Sequence, residues 1–163
     1  MKVRIKILSD GAVVPAKAHP TDAGFDLVAT SYKFDEDGNF VYGTGLAFEI
    51  PEGYVGLIFP RSSISRGDLA LTNSVGVIDS HYRGEVMLKF KSTHRCYSLW
   101  SLVKLIFKKD ARTKSYNSPR GAYSIGERIG QIIIMPYPEI EFEEADELSD
   151  TDRGTGGYGS TGR

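Results

Sequence analysis

The sequence predicts an all-β fold, a sandwich, jelly roll or barrel, and three observations predict it. Apolar stretches are short, and several alternate with polar residues at the two-residue period of a half-buried strand. Turn residues separate them, with glycine at 18 of 163 positions. One segment alone shows helical spacing. Many short strands between turn signals are the pattern of antiparallel β architectures.

In chain order, Val3, Ile5 and Ile7 alternate with Arg4 and Lys6, a first strand. Phe40-Val41-Tyr42, Ala47-Phe48-Glu49-Ile50 and Tyr54 to Phe59 read as three more. Pro51-Glu52-Gly53 between the last two is a turn with a mechanism: Pro presets φ early and Gly tolerates positive φ later. Gly76 to Ile78 reads as a strand and 79–84 as the turn of a hairpin. Residues 86–90 and 131–135 complete the series. At 97–109, Leu99, Leu102, Val103, Ile106 and Phe107 fall at helical spacing with Lys104, Lys108 and Lys109 on other faces, predicting one short amphipathic helix. No repeat of solenoid period occurs.

The length suits a single domain over 1–163, which at this size buries roughly 68–70% of its unfolded surface without stapling. A 40% hydrophobic, 25% charged composition is globular. The longest clean apolar run, Ile132-Ile133-Ile134-Met135, falls far short of the ~20 residues of a spanning helix. The N-terminus alternates charge and apolar residues and builds no signal-peptide core. A single Cys96 excludes a disulfide within the chain and points to a reducing compartment, the cytoplasm (a host's, for a viral chain). Net charge −1 excludes a globally basic nucleic-acid binder. That balance hides a basic block within 89–120, where Asp110 is the one acid, and an acidic block at 139–152 without a cation.

Three segments carry candidate chemistry. The tail from Arg153 to Arg163 is too polar and glycine-rich to hold a fold alone. Gly154, Gly156 and Gly159 satisfy G-x-G-x-x-G, yet no helix can follow, so a dinucleotide turn is excluded. Either it is a disordered tail, or Arg153, Ser160, Thr161 and the glycine N–H groups close over a polyphosphate while Tyr158 stacks on a base. Pro60-Arg61-Ser62-Ser63 follows a strand directly, offering phosphate donors on a rigid support or merely solvated side chains. In Asn73 through Glu85, Asp79 either caps a turn under Tyr82 or serves chemistry. His19, His81 and His94 show no metal-ligand spacing, and Arg66-Gly67-Asp68 is read as accident.

Together and in this order, the segments resemble the homotrimeric dUTPase family. Ala23-Gly24-Phe25-Asp26-Leu27 resembles the first family motif and Pro60-Arg61-Ser62-Ser63 the second. Asn73 through Glu85 resembles the third, Gly126-Glu127-Arg128-Ile129-Gly130-Gln131 the fourth, and Arg153 through Gly162 the fifth. Residues 91–124 have no counterpart and read as an insertion. The resemblance implies a dUTPase-like β jelly roll of the β-clip type, with three subunits sharing each site and dUTP hydrolysed to dUMP and pyrophosphate. It implies Mg²⁺ on the triphosphate, bound by Asp26 through water, and Asp79 as general base. It implies Tyr82 under the deoxyribose, and Asn73 with the backbone of Gly76 and Ile78 reading uracil. Arg61, Ser62, Ser63 and Gln131 would hold phosphates. Arg153, Gly159, Ser160 and Thr161 would clasp the γ-phosphate in a mobile arm over 153–163, with Tyr158 over the base. Four positions depart from the usual pattern: Ser63 for Gly, Tyr158 for Phe, His81 for an acid and Gly130 for Ala.

Two rivals stand beside this expectation. A dCTP deaminase shares the fold and an Arg-Ser-Ser signature, but carries a catalytic Glu where Lys89 stands here. A dUTPase scaffold could also serve regulation, the insertion docking a protein partner through its amphipathic stretch. Alternatively that stretch packs on its own domain. Neither a membrane nor nucleic acid is expected as a partner.

Overall fold

The computed structural model describes residues 1–93 and 122–157. The expected helix at 97–109, nearly all of the insertion, and Tyr158, Gly159, Ser160 and Thr161 lie outside the described residues. Ten strands occur among the described ones: β1 (Arg4–Ile7), β2 (Phe25–Val28), β3 (Ser31–Phe34), β4 (Phe40–Gly43), β5 (Leu46–Glu49), β6 (Tyr54–Phe59), β7 (Leu69–Leu71), β8 (Gly76–Ile78), β9 (Met87–Ser92) and β10 (Arg128–Pro136). A short 3₁₀ helix, Ser62–Arg66, precedes β7. All strand pairs are antiparallel. The expected jelly roll is the fold. No helix among the described residues is long and apolar enough to cross a membrane.

One four-stranded sheet runs β2-β10-β6-β8, a second β3-β4-β9-β7, and β1 pairs with β5. Leu27, Ile58 and Ile132 from the first sheet meet Phe40, Tyr42, Leu88, Phe90 and Leu71 from the second in one buried core. Along β9 the period of two is explicit: Leu88 and Phe90 are buried while Met87, Lys89 and Lys91 are exposed. Each large apolar side chain fully buried contributes about 1.5–3 kcal/mol. The turn before β6 forms as its residues require, with Gly53 at φ 76° and the Tyr54 N–H donating to the Pro51 carbonyl at 3.2 Å.

The expected hairpin at 79–84 is corrected. β8 pairs with β6 in the first sheet, whereas β9 pairs with β4 and β7 in the second. The turn is therefore a corner between sheets. Eight residues separate Ile78 from Met87, more than the two to five that close a hairpin.

Candidate active site

Asp26 on β2 stands opposite Gln131 on β10, and Gln131 stands opposite Phe59 at the end of β6. Three neighbouring strands thus place one carboxylate, one amide and the chain leading to Pro60-Arg61 in a single row. Arg61 Nε donates to Asp26 Oδ1 at 2.8 Å, and Arg128 Nη1 donates to Oδ2 at 3.0 Å. Gln131 Nε2 donates to the Pro60 carbonyl at 3.2 Å. Arg128 was not among the residues singled out from sequence, although it lies inside the fourth motif. Its role depends on β10 pairing with β2 across 102 residues of chain.

Space in this row is made by glycine. A Cβ on Gly24 would overlap the Gln131 amide, whose Cδ would lie at 3.1 Å. At Gly130, where the family pattern has Ala, a Cβ would meet Leu88 and come within 3.1 Å of the Phe59 carbonyl oxygen. The β2–β10 register shifts between Arg128 and Gly130, a bulge, and a methyl group at Gly130 would require the end of Leu88 to move aside. Arg61 is extended at the mouth of the 3₁₀ helix, and its carbonyl accepts from the Ile64 N–H at 3.0 Å. Ser62 is exposed and Ser63 half-buried.

The corner builds the second half. Asp79, exposed, lines a cavity of about 240 Å³ with Val77, Ile78, Tyr82, Glu85, Val86 and Met87. The Tyr82 N–H donates to the Asp79 carbonyl at 3.0 Å, and the Tyr82 hydroxyl donates to the Glu85 carbonyl at 3.0 Å. This folds the ring across Gly84, where a Cβ would come within 2.6 Å of the ring carbon Cζ. Gly84→Ala is therefore expected to swing Tyr82 out of the cavity wall, which a crystal structure of the variant checks; an unmoved ring would reject this placement. Asn73 precedes Ser74, held in the left-handed region at φ 62°. A Cβ on Gly76 would crowd Ile58 Cβ at 3.1 Å, so glycine eases the approach of β8 to β6.

The two halves do not meet within one chain. Ile78 is opposite Gly56 and Gly76 opposite Ile58, so Asp79 falls level with Val55 while Arg61 lies beyond the other end of β6. At ~3.3 Å per residue, the six steps from 55 to 61 amount to about 20 Å. Arg153 is exposed, and its Nε donates to the Gly156 carbonyl at 2.9 Å.

Among the described residues, no group of three His, Cys, Asp or Glu side chains could hold a metal ion. A dedicated cage is not what a phosphate-bound Mg²⁺ needs, since it keeps several waters and takes one or two carboxylates plus substrate oxygens. Asp26, flanked by Arg61 and Arg128, offers one such carboxylate. Lys89 points elsewhere: its Nζ lies 2.8 Å from Asp35 Oδ2. The Lys89 and Asn39 hydrogen bonds hold the Asp35 carboxyl well below the usual carboxylate range, and Asp35 in turn raises Lys89. The position a deaminase would use for Glu is thus an ion pair on the β3–β4 side.

A model of the dUTPase family matches residues 10–96 and 116–162. The chain belongs to the dUTPase family. Two curated dUTPases illustrate the likeness. The deoxyuridine 5'-triphosphate nucleotidohydrolase of Rhodococcus erythropolis is 37% identical over 166 residues, covering 99% of this chain and 87% of that one. The Nautilia profundicola protein of the same name is 37% identical over 166 residues and covers 100% of both chains. The solved dUTPase of Staphylococcus bacteriophage 80alpha with dUPNHPP superposes with a TM-score of 0.74 at 28% identity, over 99% of each chain. The gap in the dUTPase match, 97–115, falls inside the insertion read from sequence.

Proposed function

We infer that the protein hydrolyses dUTP to dUMP and pyrophosphate, in sites shared between copies of a homotrimer. The observation that carries this is the division of labour along β6: an anion cradle of Arg61, Arg128 and Gln131 at one end, and a carboxylate beside a nucleoside-sized cavity at the other. Neither end suffices alone, and three linked phosphates do not span the distance between them. A symmetric assembly that sets the corner of one copy against the cradle of the next completes the site.

In that site Asn73 and the backbone of Gly76 and Ile78 read the uracil edge, and Tyr82 packs under the deoxyribose, leaving no room for a 2′-hydroxyl. Arg61, Ser62, Ser63 and Gln131 hold the phosphate chain. Asp79 accepts a proton from a water as its oxygen bonds to the α-phosphorus. The bond from that phosphorus to the bridging oxygen breaks, and pyrophosphate leaves. When bound, Mg²⁺ supplies neutralisation of the phosphate charge, with Asp26 holding it through water. Arg153, Gly159, Ser160 and Thr161 clasp the γ-phosphate while Tyr158 covers the base. The product is the thymidylate precursor, and removal of dUTP keeps uracil out of DNA. A lone cysteine agrees with a cytoplasmic enzyme.

The direct test offers dUTP, dTTP, dCTP and UTP to the full chain with Mg²⁺ and follows pyrophosphate. Preferential cleavage of dUTP is expected; ammonia release from dCTP would replace the reaction with deamination. The terminal arm carries its own expectation. Ordering backbone costs about 1–2 kcal/mol per residue, and most for glycine, so triphosphate contacts are what order 153–163. Amides there gain protection from hydrogen exchange when a dUTP analogue binds. Equal protection with and without it would refute the arm.

A further inference from the structure

Ser63 is the residue at which this chain departs from the glycine of the second family motif. Its Oγ is buried and finds no hydrogen-bond partner among the described residues, and the Tyr123 hydroxyl is in the same condition. The Tyr123 ring is well anchored. Its centroid lies 5.5 Å from that of Phe90 and 5.9 Å from that of Tyr42, and its backbone N–H donates to the Tyr42 hydroxyl at 3.0 Å. Phe90 stands opposite Leu71 in the β7–β9 pair, and β7 follows directly on the 3₁₀ helix that carries Ser63. Strand pairing thus sets a ring partner of Tyr123 beside the strand that follows the phosphate turn. Burial pushes the Tyr123 hydroxyl up, and the neighbouring Ser63 hydroxyl and Arg61 charge oppose that push.

Two buried hydroxyls left unpaired side by side are costly, and each can donate to or accept from the other. We propose that Tyr123 is a positioning residue for the phosphate turn, its hydroxyl donating to Ser63 Oγ when the triphosphate engages Arg61 and Ser62. The bond ties the turn to the aromatic core and holds Arg61 and Ser62 in their binding geometry. Glycine at 63 could not form it. A side chain is tolerated there because Ser63 is not at positive φ; Ser74 is the one described non-glycine residue that is. The proposal rests on Arg61-Ser62-Ser63 being the phosphate site.

Steady-state kinetics of the full chain with dUTP and Mg²⁺ test it on the wild type, Tyr123→Phe, Ser63→Ala and the double variant. Phe keeps the ring contacts with Phe90 and Tyr42, and Ala keeps the Cβ. Each single variant is expected to raise KM about three- to tenfold, the worth of one hydrogen bond, with kcat within about twofold. The double variant is expected to be no worse than either single one, since both remove the same bond. An unchanged KM in Tyr123→Phe, additive losses in the double variant, or a fall confined to the melting temperature would each overturn the proposal. A wild type inactive on dUTP would instead remove the functional reading, and the proposal with it.

Discussion

Asp79→Asn lowers kcat for dUTP by about 10²- to 10⁴-fold, the range general-base assistance supplies, while KM stays within a few-fold. The amide keeps the size of the carboxylate and can still accept a hydrogen bond from water, but it cannot take the proton. Asp79 is exposed at the cavity rim, and the corner backbone is held by the Tyr82 N–H to Asp79 carbonyl bond at 3.0 Å, which the substitution leaves in place. Fold and substrate affinity are therefore preserved, and the loss is confined to the chemical step. Pyrophosphate release at saturating dUTP measures it. Undiminished turnover would unseat Asp79 and leave the cavity as a binding feature alone.

Two inactive variants restore each other when assembled together. Arg61→Ala removes a cradle donor and the ion pair with Asp26, at 2.8 Å; Asp79→Asn removes the base. If each site draws its base from one copy and its cradle from another, some sites in a mixed assembly hold both intact groups. Random mixing in equal amounts makes half the donors of each group intact, so about a quarter of the sites regain activity. The measurement is turnover after the two variants are unfolded and refolded together, compared with each refolded alone. Activity no greater than the summed singles would place base and cradle in one chain, against the register of β8 on β6.

Much of this was legible residue by residue. β1, β4, β5 and β6 followed from alternation and from the Pro51-Glu52-Gly53 turn, because period and turn chemistry are properties of a few adjacent residues. The candidate site residues were named from motif order, which also survives in the linear chain. What escaped reading was non-local. β2, β3 and β7 were not read as strands; β3 is exposed along its whole length, so no buried face imposes a period on it. The corner at 79–84 passed for a hairpin because a strand pattern does not say which strand it pairs with. Arg128 gained its place only when β10 was laid against β2, and Lys89 found Asp35 only when β9 was laid against β4.

The identities of the chemical groups, the glycines that make room for them and the family they signify were already present in the order of residues. Which groups meet was not. Asp79 and Arg61 are close in sequence, yet hydrogen-bond register puts them at opposite ends of one strand. Ser63 and Tyr123 are far apart in sequence, yet sheet packing puts them together. Register and packing are set by the simultaneous burial of side chains from distant segments, so they exist only once the core has formed.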